Sequence, residues 1–588
     1  MTAGRAEPAP GLEARGSRPE ETCVEARAGS PHGTATAGCG APACAFRWRE
    51  VLFLLLVTAL ALAVRLSNLP YHQARLLNSD AALFLAEARS QLAGGPALDP
   101  LWPPIYPLAA AALAGGQDGL EGSAVALALG AGALGPLAVY LLGKRLLGIP
   151  AACFGALGSA VLFPLAFWSC QAYPETLFIL CLYVLLALFH APRPRAPALR
   201  ALACGALAGA AYLVRPEGFA LAPLLGAWLA LDPERGPDRR ARGLAIGLLA
   251  VGFLVVAGPY LLRLRAELGH WAVSGKAGWN LQVGDRVLGR DYDRLAWGLT
   301  PDGKEVASAR AMRDLTLGQV LRERPGELWQ RYRVNARALV AALVDALGIA
   351  AAALAGLGAL SLIARPGALL NLATATAPLA ALPLFFVNQR FVIFALPALL
   401  LLAGAGIEAA ATRLARVERG RRMLRAVLTV AALLGHVQLD AAVAGQASAV
   451  RGGFRQGEEY RLAGEWMRQH CAPGSKTTNV WVAFHSGLEP VQLPLAAYQR
   501  TLAYLRARGC NYLVVDRRTA EKGWLPESSP VFSFLLSAQP PPPELEEVMR
   551  WAGRPEFEVR VYRILGARPS ASRPAGPPVG AKGDRERS

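Results

Sequence analysis

Metal-binding and nucleic-acid-binding signatures are scarce in this chain of 588 residues. Its nine cysteines contain no CxxC pair and its seven histidines no HExxH spacing, so a structural zinc site has little support. No nucleotide-binding loop is visible, and the arginines do not form the single basic stripe of a nucleic-acid-binding protein. Carboxylates are thus the remaining candidate metal ligands, and nucleic acid is not an expected partner.

Apolar and basic residues are abundant instead. The chain is 53% hydrophobic with a formal net charge of +18, and its mean hydropathy is +0.31. Soluble proteins rarely combine these properties. A polytopic membrane protein does, because its apolar spans are joined by cytoplasmic loops rich in Lys and Arg, which set the orientation of the helices. The composition therefore predicts a mainly α-helical, polytopic transmembrane bundle.

About eleven segments are candidate spans, since a helix needs roughly 20 apolar residues to cross a bilayer and several of these are short or tilted. The apolar piece Leu108–Ala114 is too short to span and is predicted to be interfacial or re-entrant. The candidate spans are Val51–Leu66, Ser123–Gly143, Ala151–Trp168, Thr176–His190, Leu199–Val214, Gly218–Leu231, Gly243–Leu262, Ala338–Ile363, Ala368–Val387, Phe391–Ala410 and Ala426–Leu439.

The distribution of arginine predicts the topology. Residues 1–45 have almost no large apolar side chains and are expected to be a disordered cytoplasmic tail, because Arg47 and Arg49 precede the first span. Counting spans from there puts the short basic loops in the cytoplasm. The membrane domain is then 46–440, and its two long outer loops are 67–122 and 263–337.

A small extracytoplasmic α/β domain is predicted at 454–566, followed by a disordered tail at 567–588. Cys471 and Cys510 both fall in this domain, where they form either a disulfide or two buried thiols. The predicted elements are a helix at Glu458–His470, a strand at Asn479–Phe484, a helix at Leu495–Arg508, a strand at Asn511–Asp516, a helix after Pro540–Pro543 and a strand at Phe557–Leu565.

Charged residues at or near the outer ends of the spans are the candidate site: Asp80, Glu175, Arg215, Glu217, Lys276 and Arg390. Ionisable groups at membrane depth are costly and usually functional. An acid beside several cations suits a general base or a metal ligand next to a phosphate-bearing substrate. Structural roles stay open: Asp80 and Glu175 as helix-start acids, Arg215 with Glu217 as an interfacial ion pair, and the other two cations as snorkelling side chains.

The order of these features resembles the GT-C superfamily of membrane glycosyltransferases, in particular bacterial relatives of protein O-mannosyltransferases and of aminoarabinose transferases. The resemblance spans about Arg47–Leu565, and LRARGCNYLVVD looks like the outer domain appended to many such proteins. It rests on LNSDAALFLAEARSQLAGG, LWPPIYPL, SCQAYPETLFILCLYVLLAL, AYLVRPEGFALAPLL and QRFVIFALPALLLLAGAGI.

The resemblance implies a role for each candidate residue. Family members place an Asp or an Asp-Glu pair in the first outer loop, so Asp80 is the expected catalytic carboxylate, which deprotonates the acceptor or helps to hold a metal. Residue 81 is Ala where the pattern has a second acid, and a two-ligand metal site is therefore less expected. The expected substrate and phosphate contacts are Arg215, Lys276, Arg390, Glu175 and Glu217.

The implied function is transfer of a sugar from a polyprenyl-phosphate donor to a glycan, lipid or protein acceptor. The implied location is the outer face of a bacterial inner membrane, among membrane lipids. No cofactor is assigned, and a divalent metal stays an open alternative. Two other classes also stay open: a secondary transporter, although the paired halves of such proteins are not visible, and a catalytically silent membrane scaffold.

Overall fold

A computed structural model describes residues 41–73, 77, 79–94, 102–116, 119–191, 196–231, 239–450, 457–521, 529–552 and 557–566. The chain divides into two compact units, Met1–Leu52 and Phe53–Ser588. The first is described only from Ala41 onward, and the structural findings below concern the second. Most of the predicted N-terminal tail and all of the predicted tail at 567–588 lie outside the described residues, and the predicted domain boundaries stay predictions.

Helices make up most of the chain before residue 451. Within the described residues, four short 3-10 helices interrupt or extend them: Pro216–Ala220, Gly284–Leu288, Ala377–Leu384 and Ile393–Ala395. The α-helices are α1 (Ala41–Gln73), α2 (Ser79–Leu92), α3 (Ile105–Ala114), α4 (Leu120–Leu146), α5 (Ile149–Val161), α6 (Phe163–Ser169), α7 (Glu175–Phe189), α8 (Pro197–Val214), α9 (Leu221–Leu231), α10 (Arg239–Leu268), α11 (Ala277–Val283), α12 (Tyr292–Trp297), α13 (Ala307–Asp314), α14 (Leu317–Glu323), α15 (Pro325–Leu347), α16 (Ile349–Ser361), α17 (Pro366–Thr376), α18 (Gln389–Val392), α19 (Leu396–Leu414) and α20 (Glu418–Val450).

The predicted polytopic bundle is confirmed. Within the described residues, 7 helices are long and apolar enough to cross a membrane, or up to 9 if each bent pair of helices is one span. The two remaining predicted spans fall on the shorter apolar helices Glu175–Phe189 and Pro216–Leu231, which explains the higher count from sequence. A third short apolar helix, Ile105–Ala114, corresponds to the piece predicted to be interfacial or re-entrant.

One predicted span has a different shape from the one expected. Ala338–Ile363 reads as a single apolar run, but α15 and α16 meet at an angle of 109°. The turn lies at Gly348, whose φ of 75° is a left-handed conformation that glycine adopts without strain. Hydropathy alone does not register such a turn, because both arms are apolar.

Close packing between helices depends on glycine. A Cβ atom at Gly358 of α16 would overlap the backbone oxygen of Leu402 in α19, and one at Gly406 of α19 would overlap the backbone oxygen of Leu354 in α16. The two backbones therefore touch at reciprocal glycines. Small residues of this kind let membrane helices approach closely and gain van der Waals contact, which matters because lipid provides no hydrophobic drive between helices.

The C-terminal part of the chain forms a five-stranded sheet in the order β2-β1-β3-β5-β4. Strands β1, β2 and β3 pair in parallel, whereas β5 pairs antiparallel with both β3 and β4. This C-terminal α/β region consists of α21 (Glu458–His470), β1 (Lys476–Thr477), α22 (Val480–Ser486), β2 (Glu489–Pro490), α23 (Tyr498–Ala507), β3 (Tyr512–Asp516), α24 (Arg517–Glu521), α25 (Ser529–Leu535), β4 (Leu545–Trp551) and β5 (Val559–Ile564).

Two predicted elements of this region are wrong. The run at Asn479–Phe484 was expected to be a strand but forms helix α22, because the Asn479 side chain accepts hydrogen bonds from the backbone N–H groups of Trp481 and Val482 and so caps a helix. The segment after Pro540–Pro543 was expected to be a helix and is the edge strand β4. Short apolar runs do not distinguish helix from strand by periodicity alone.

Cys471 and Cys510 are free thiols, so the disulfide alternative is wrong. Cys510 lies in the apolar cluster with Leu513, whereas Cys471 packs on the cluster that contains Val514. Successive residues of a strand face opposite sides of a sheet, so the two thiols lie on different faces. Burial raises the pKa of the Cys510 thiol to about 12.

The glycine contact between α16 and α19 predicts a stability difference between two neighbouring substitutions. Gly358→Ala should destabilise the protein by roughly 1–3 kcal/mol, because the added methyl group meets backbone atoms that cannot move independently. A Cβ at Gly356 of the same helix has nothing within 4 Å, so Gly356→Ala should leave stability unchanged or raise it slightly. Thermal unfolding midpoints in detergent measure both; equal midpoints for the two variants would contradict this packing.

Candidate active site

Asp80 is the second residue of α2, the helix that follows the first span. The helix buries Ala81, Phe84, Leu85 and Ala88, and this apolar face packs against α3 and α22. The carboxylate of Asp80 thus stands at a helix N-terminus, where the backbone N–H groups favour negative charge.

Two cations hold the Asp80 carboxylate. Lys276 Nζ lies 3.5 Å from Asp80 Oδ1, and Arg390 Nη1 donates a hydrogen bond of 2.9 Å to Asp80 Oδ2. Burial by itself would raise the pKa of Asp80, but the charges of Lys276 and Arg390 outweigh it, so the pKa lies below the usual range. The carboxylate is therefore ionised at neutral pH, so it can accept a proton and has none to donate.

Arg390 connects Asp80 to a buried carboxylate. It lies in α18, where the Asn388 side chain accepts a hydrogen bond of 3.0 Å from the Arg390 backbone N–H. Its Nη1 binds Asp80, while its Nε donates to Glu175 Oε1. The Tyr173 ring lies 4.0 Å from the guanidinium carbon, a cation–π contact. One side chain therefore joins the start of α2 to the start of α7.

Glu175 is shared by two arginines. Glu175 Oε1 accepts hydrogen bonds from Arg390 Nε and from Arg215 Nη1. Arg215 also donates from Nη2 and Nε to the two oxygens of Glu217, at 2.6 and 3.2 Å. Pro216 favours an extended backbone at the preceding residue, and Arg215 has φ −149° and ψ 142°, so its side chain leaves the end of α8 toward the site.

The six predicted site residues are thus brought together by direct ion pairs. These ion pairs form one continuous series, called the charge chain below, in the order Lys276, Asp80, Arg390, Glu175, Arg215 and Glu217. Side-chain exposure falls from 33% at Asp80 to 2% at Glu175. Three cations face three carboxylates, so this charge chain has no formal net charge, and its most accessible members are at the Asp80 end.

Trp102 and Tyr173, two of the aromatic residues around the cations, were not among the predicted site residues. Lys276 Nζ lies 3.3 Å from the ring centroid of Trp102 and 5.4 Å from that of Trp279. Tyr173 covers Arg390 from the other side. Trp102 and Tyr173 both occur in the aromatic and proline-rich stretches LWPPIYPL and SCQAYPET. The signal was present, but a sequence does not show which of several aromatic residues faces a cation.

Polar atoms without partners point into this cluster. Tyr173 is fully buried, yet its hydroxyl has no hydrogen-bond partner among the residues that the structure describes, and neither does Glu175 Oε2. Buried polar groups are nearly always hydrogen-bonded, and exceptions are typical of sites that receive a ligand or water. The charge chain therefore has unused hydrogen-bonding capacity.

Arg286 provides a further cation on an aromatic surface. Its guanidinium carbon lies 5.8 Å from the ring centroid of Tyr292 and 5.6 Å from that of Phe386. Phe386 is in turn 5.4 Å from Phe391, the neighbour of Arg390, measured between ring centroids. Arg286 is exposed and has no carboxylate partner in the described part of the chain. It is thus a cation that no acid neutralises, near a chain of charges that is already balanced.

The described residues contain no group of three His, Cys, Asp or Glu side chains that could hold a metal ion. Asp80 has Lys276 and Arg390 against its two oxygens, and Arg390 stands between it and Glu175. A divalent ion would have to displace these cations and would find a single carboxylate. The side chains at this place therefore fit an anion better than a divalent metal.

Comparisons with known proteins identify similar folds. The family model of the dolichyl-phosphate-mannose-protein mannosyltransferases matches residues 103–262. The oligosaccharyltransferase of Archaeoglobus fulgidus, solved with Zn and sulfate, superposes with a TM-score of 0.54 at 13% identity over 82% of this chain and 70% of that protein. No curated protein matches the sequence.

Two further solved structures contain lipid phosphates. The archaeal oligosaccharyltransferase AglB from Archaeoglobus fulgidus, in complex with an inhibitory peptide and a dolichol-phosphate, has a TM-score of 0.54 at 13% identity over 82% of this chain and 72% of its own. ArnT from Cupriavidus metallidurans, bound to undecaprenyl phosphate, has a TM-score of 0.50 at 14% identity over 86% and 97%. At such low identity these similarities establish only the fold of this chain. Its chemistry has to be inferred from the residues of the candidate site.

The sharing of Glu175 by two arginines predicts that its charge stabilises the protein. Glu175→Gln should lower the free energy of unfolding by roughly 3 kcal/mol, because two buried arginines lose a common counter-ion. The control is Glu408→Gln, which removes an acid that is 27% exposed and paired with Arg425 at 2.8 Å. This partly exposed pair should contribute less than the buried one, since fully exposed pairs contribute about 0–1 kcal/mol. Thermal midpoints in detergent compare the two, and shifts of equal size would contradict the role of Glu175.

Proposed function

We infer that this chain transfers a sugar from a polyprenyl-phosphate carrier to an acceptor. The chain has the fold of the GT-C membrane glycosyltransferases, as its sequence resemblance predicted. The observation that carries this proposal is the pairing of Asp80 with Lys276 and Arg390 at the accessible end of the charge chain. A base and two phosphate-binding cations are thereby within a few ångströms of one another.

The physical requirements of such a donor match this arrangement. A polyprenyl chain needs an apolar environment beside the membrane helices, and its phosphate needs cations at the membrane surface. Cationic donors bind phosphate oxygens by charge-assisted hydrogen bonds, and arginine does so with a planar fork. Lys276 and Arg390 are the proposed phosphate contacts. Arg215 is held by both Glu175 and Glu217, and its proposed role is to support the more accessible cations.

Asp80 is the proposed general base. Phosphate oxygens that enter between Lys276 and Arg390 compete with the Asp80 carboxylate for the same cations, so binding of the donor loosens the two ion pairs. Asp80 then accepts the proton of an acceptor hydroxyl while the acceptor oxygen forms a bond to the anomeric carbon. The bond between that carbon and the phosphate oxygen breaks, and the phosphate carrier leaves with the electron pair. A single displacement of this kind inverts the anomeric configuration.

Arg286 is proposed to supply charge that the charge chain lacks. The six paired side chains sum to zero, so a phosphate bound by them alone would leave the site negative. An exposed arginine that has no acid partner among the described residues, and that lies beside the aromatic residues Tyr292 and Phe386, provides a compensating positive charge. The same aromatic surface suits the apolar faces of a sugar ring or the first isoprene units of a carrier.

Lipid phosphates in similar folds support the class of donor. ArnT from Cupriavidus metallidurans was solved with undecaprenyl phosphate, and AglB from Archaeoglobus fulgidus with dolichol-phosphate. The proposal extends this class of ligand to the present chain. The acceptor is proposed to be a glycan, lipid or protein at the outer face of a bacterial inner membrane, with the N-terminus in the cytoplasm and the C-terminal α/β region outside.

Replacement of the proposed base tests the function directly. Asp80→Asn keeps the shape of the side chain but removes the proton acceptor. Transfer of sugar from polyprenyl-linked donors, extracted from the cells in which the protein occurs, should therefore fall by about 100-fold or more. Glu87→Gln is the matched control, because Glu87 lies on the same helix, accepts a hydrogen bond of 2.9 Å from Gln91 and is not one of the six residues of the charge chain. It should retain normal transfer.

Transfer is measured in proteoliposomes that contain equal amounts of folded enzyme. Normal transfer by Asp80→Asn would contradict the assignment of the base. A solute flux that survives the same substitution, in the absence of any sugar transfer, would support a transporter instead. Comparison of the lipid-linked sugars in cells with and without the protein identifies the donor sugar, which should accumulate when the protein is missing.

A further inference from the structure

Helix α22 of the C-terminal α/β region lies along the helix that carries Asp80. The indole N–H of Trp481 donates a hydrogen bond of 2.6 Å to the backbone oxygen of Leu77, three residues before Asp80. One turn later, Phe484 is buried in the apolar cluster formed with Phe84 of α2. Helix α22 therefore contacts both the backbone just before α2 and the helix itself.

A third contact holds the far end of α2. Arg89 Nη1 donates a hydrogen bond to the backbone oxygen of Phe484, and its guanidinium carbon lies 4.8 Å from the centre of the Phe484 ring. One hydrogen bond lies before Asp80, at Leu77, and the other lies near the end of α2, at Arg89, so most of the helix is between them. Rotation or sliding of α2 would break at least one of them.

Helix α22 is held in place by the sheet of the C-terminal α/β region. Asn479 caps α22 directly after β1, which lies between β2 and β3. The Trp481 ring stacks on Tyr460 with 5.1 Å between ring centroids and 15° between ring planes. The Tyr460 hydroxyl donates a hydrogen bond of 2.9 Å to Asp516 at the end of β3. A continuous series of contacts thus runs from the sheet through Trp481 to the backbone before Asp80.

We propose that Trp481 is a positioning residue, through which the C-terminal α/β region sets the place of the Asp80 carboxylate relative to Lys276 and Arg390. This inference rests on the proposed function of Asp80 as base. Reacting groups tolerate little displacement, and an error of about 1 Å can reduce a rate by about 100-fold. The region is on this view required for catalysis through the position that it gives to α2.

Trp481→Phe removes the indole N–H and keeps an aromatic ring on Tyr460. The matched control is Trp466→Phe in α21, whose ring stacks on His470 and whose indole N–H makes no hydrogen bond within the described residues. In Trp481→Phe, kcat should fall by about 10-fold to 100-fold while KM for the lipid donor changes by less than about 2-fold. Thermal midpoints should match those of the control.

Hydrogen–deuterium exchange of the peptide that contains α2 provides a readout independent of activity. Exchange should accelerate in Trp481→Phe and not in Trp466→Phe, because α2 loses an anchor. Unchanged exchange, or faster exchange with a normal kcat while Asp80→Asn is inactive, would overturn the positioning role. Normal transfer by Asp80→Asn identifies a failure of the proposed function itself, because the state of Trp481 does not affect that result.

Discussion

A single buried carboxylate, that of Glu175, holds the site together. It accepts hydrogen bonds from Arg215 and Arg390, which come from parts of the chain that are far apart in sequence. Burial of isolated charges is costly, so each arginine depends on a counter-ion, and the shared acid forces both into one place. Arg390 is thereby oriented toward Asp80. The placement of Arg390 beside Asp80, at the accessible end of the charge chain, therefore depends on Glu175 at its buried end.

The six residues of the candidate site could be selected from the sequence because charges are conspicuous at the ends of membrane spans. An acid or arginine at the end of an apolar run stands out, and span counting places it on one side of the membrane. Asp80, Arg215 and Arg390 were predicted in this way. What could not be predicted is which charges pair, since the ion pairs join α2, α7, α8 and α18 across the bundle. The aromatic contacts of Lys276 with Trp102 and of Arg390 with Tyr173 could not be predicted for the same reason.

The fold was predicted well where one signal dominates and poorly where several compete. Long apolar runs became helices as expected, and NYLVVD became strand β3. The 109° turn at Gly348 was missed because hydropathy is blind to a change of direction. Helix α22 was missed because its apolar residues also suit a strand, and the hydrogen bonds of the Asn479 cap decide between the two. These errors matter functionally, since α22 is the element that contacts the helix bearing Asp80.

In the proposed mechanism, a balanced set of charges opens to receive a phosphate at Lys276 and Arg390 and thereby releases Asp80. The most direct measurement is a cryo-electron microscopy structure of the full chain in nanodiscs with undecaprenyl phosphate. The expected result is a phosphate within hydrogen-bonding distance of Lys276 or Arg390, with Arg286 facing it and at least one of the present ion pairs to Asp80 lengthened. A phosphate bound elsewhere, with both ion pairs to Asp80 intact, would contradict it.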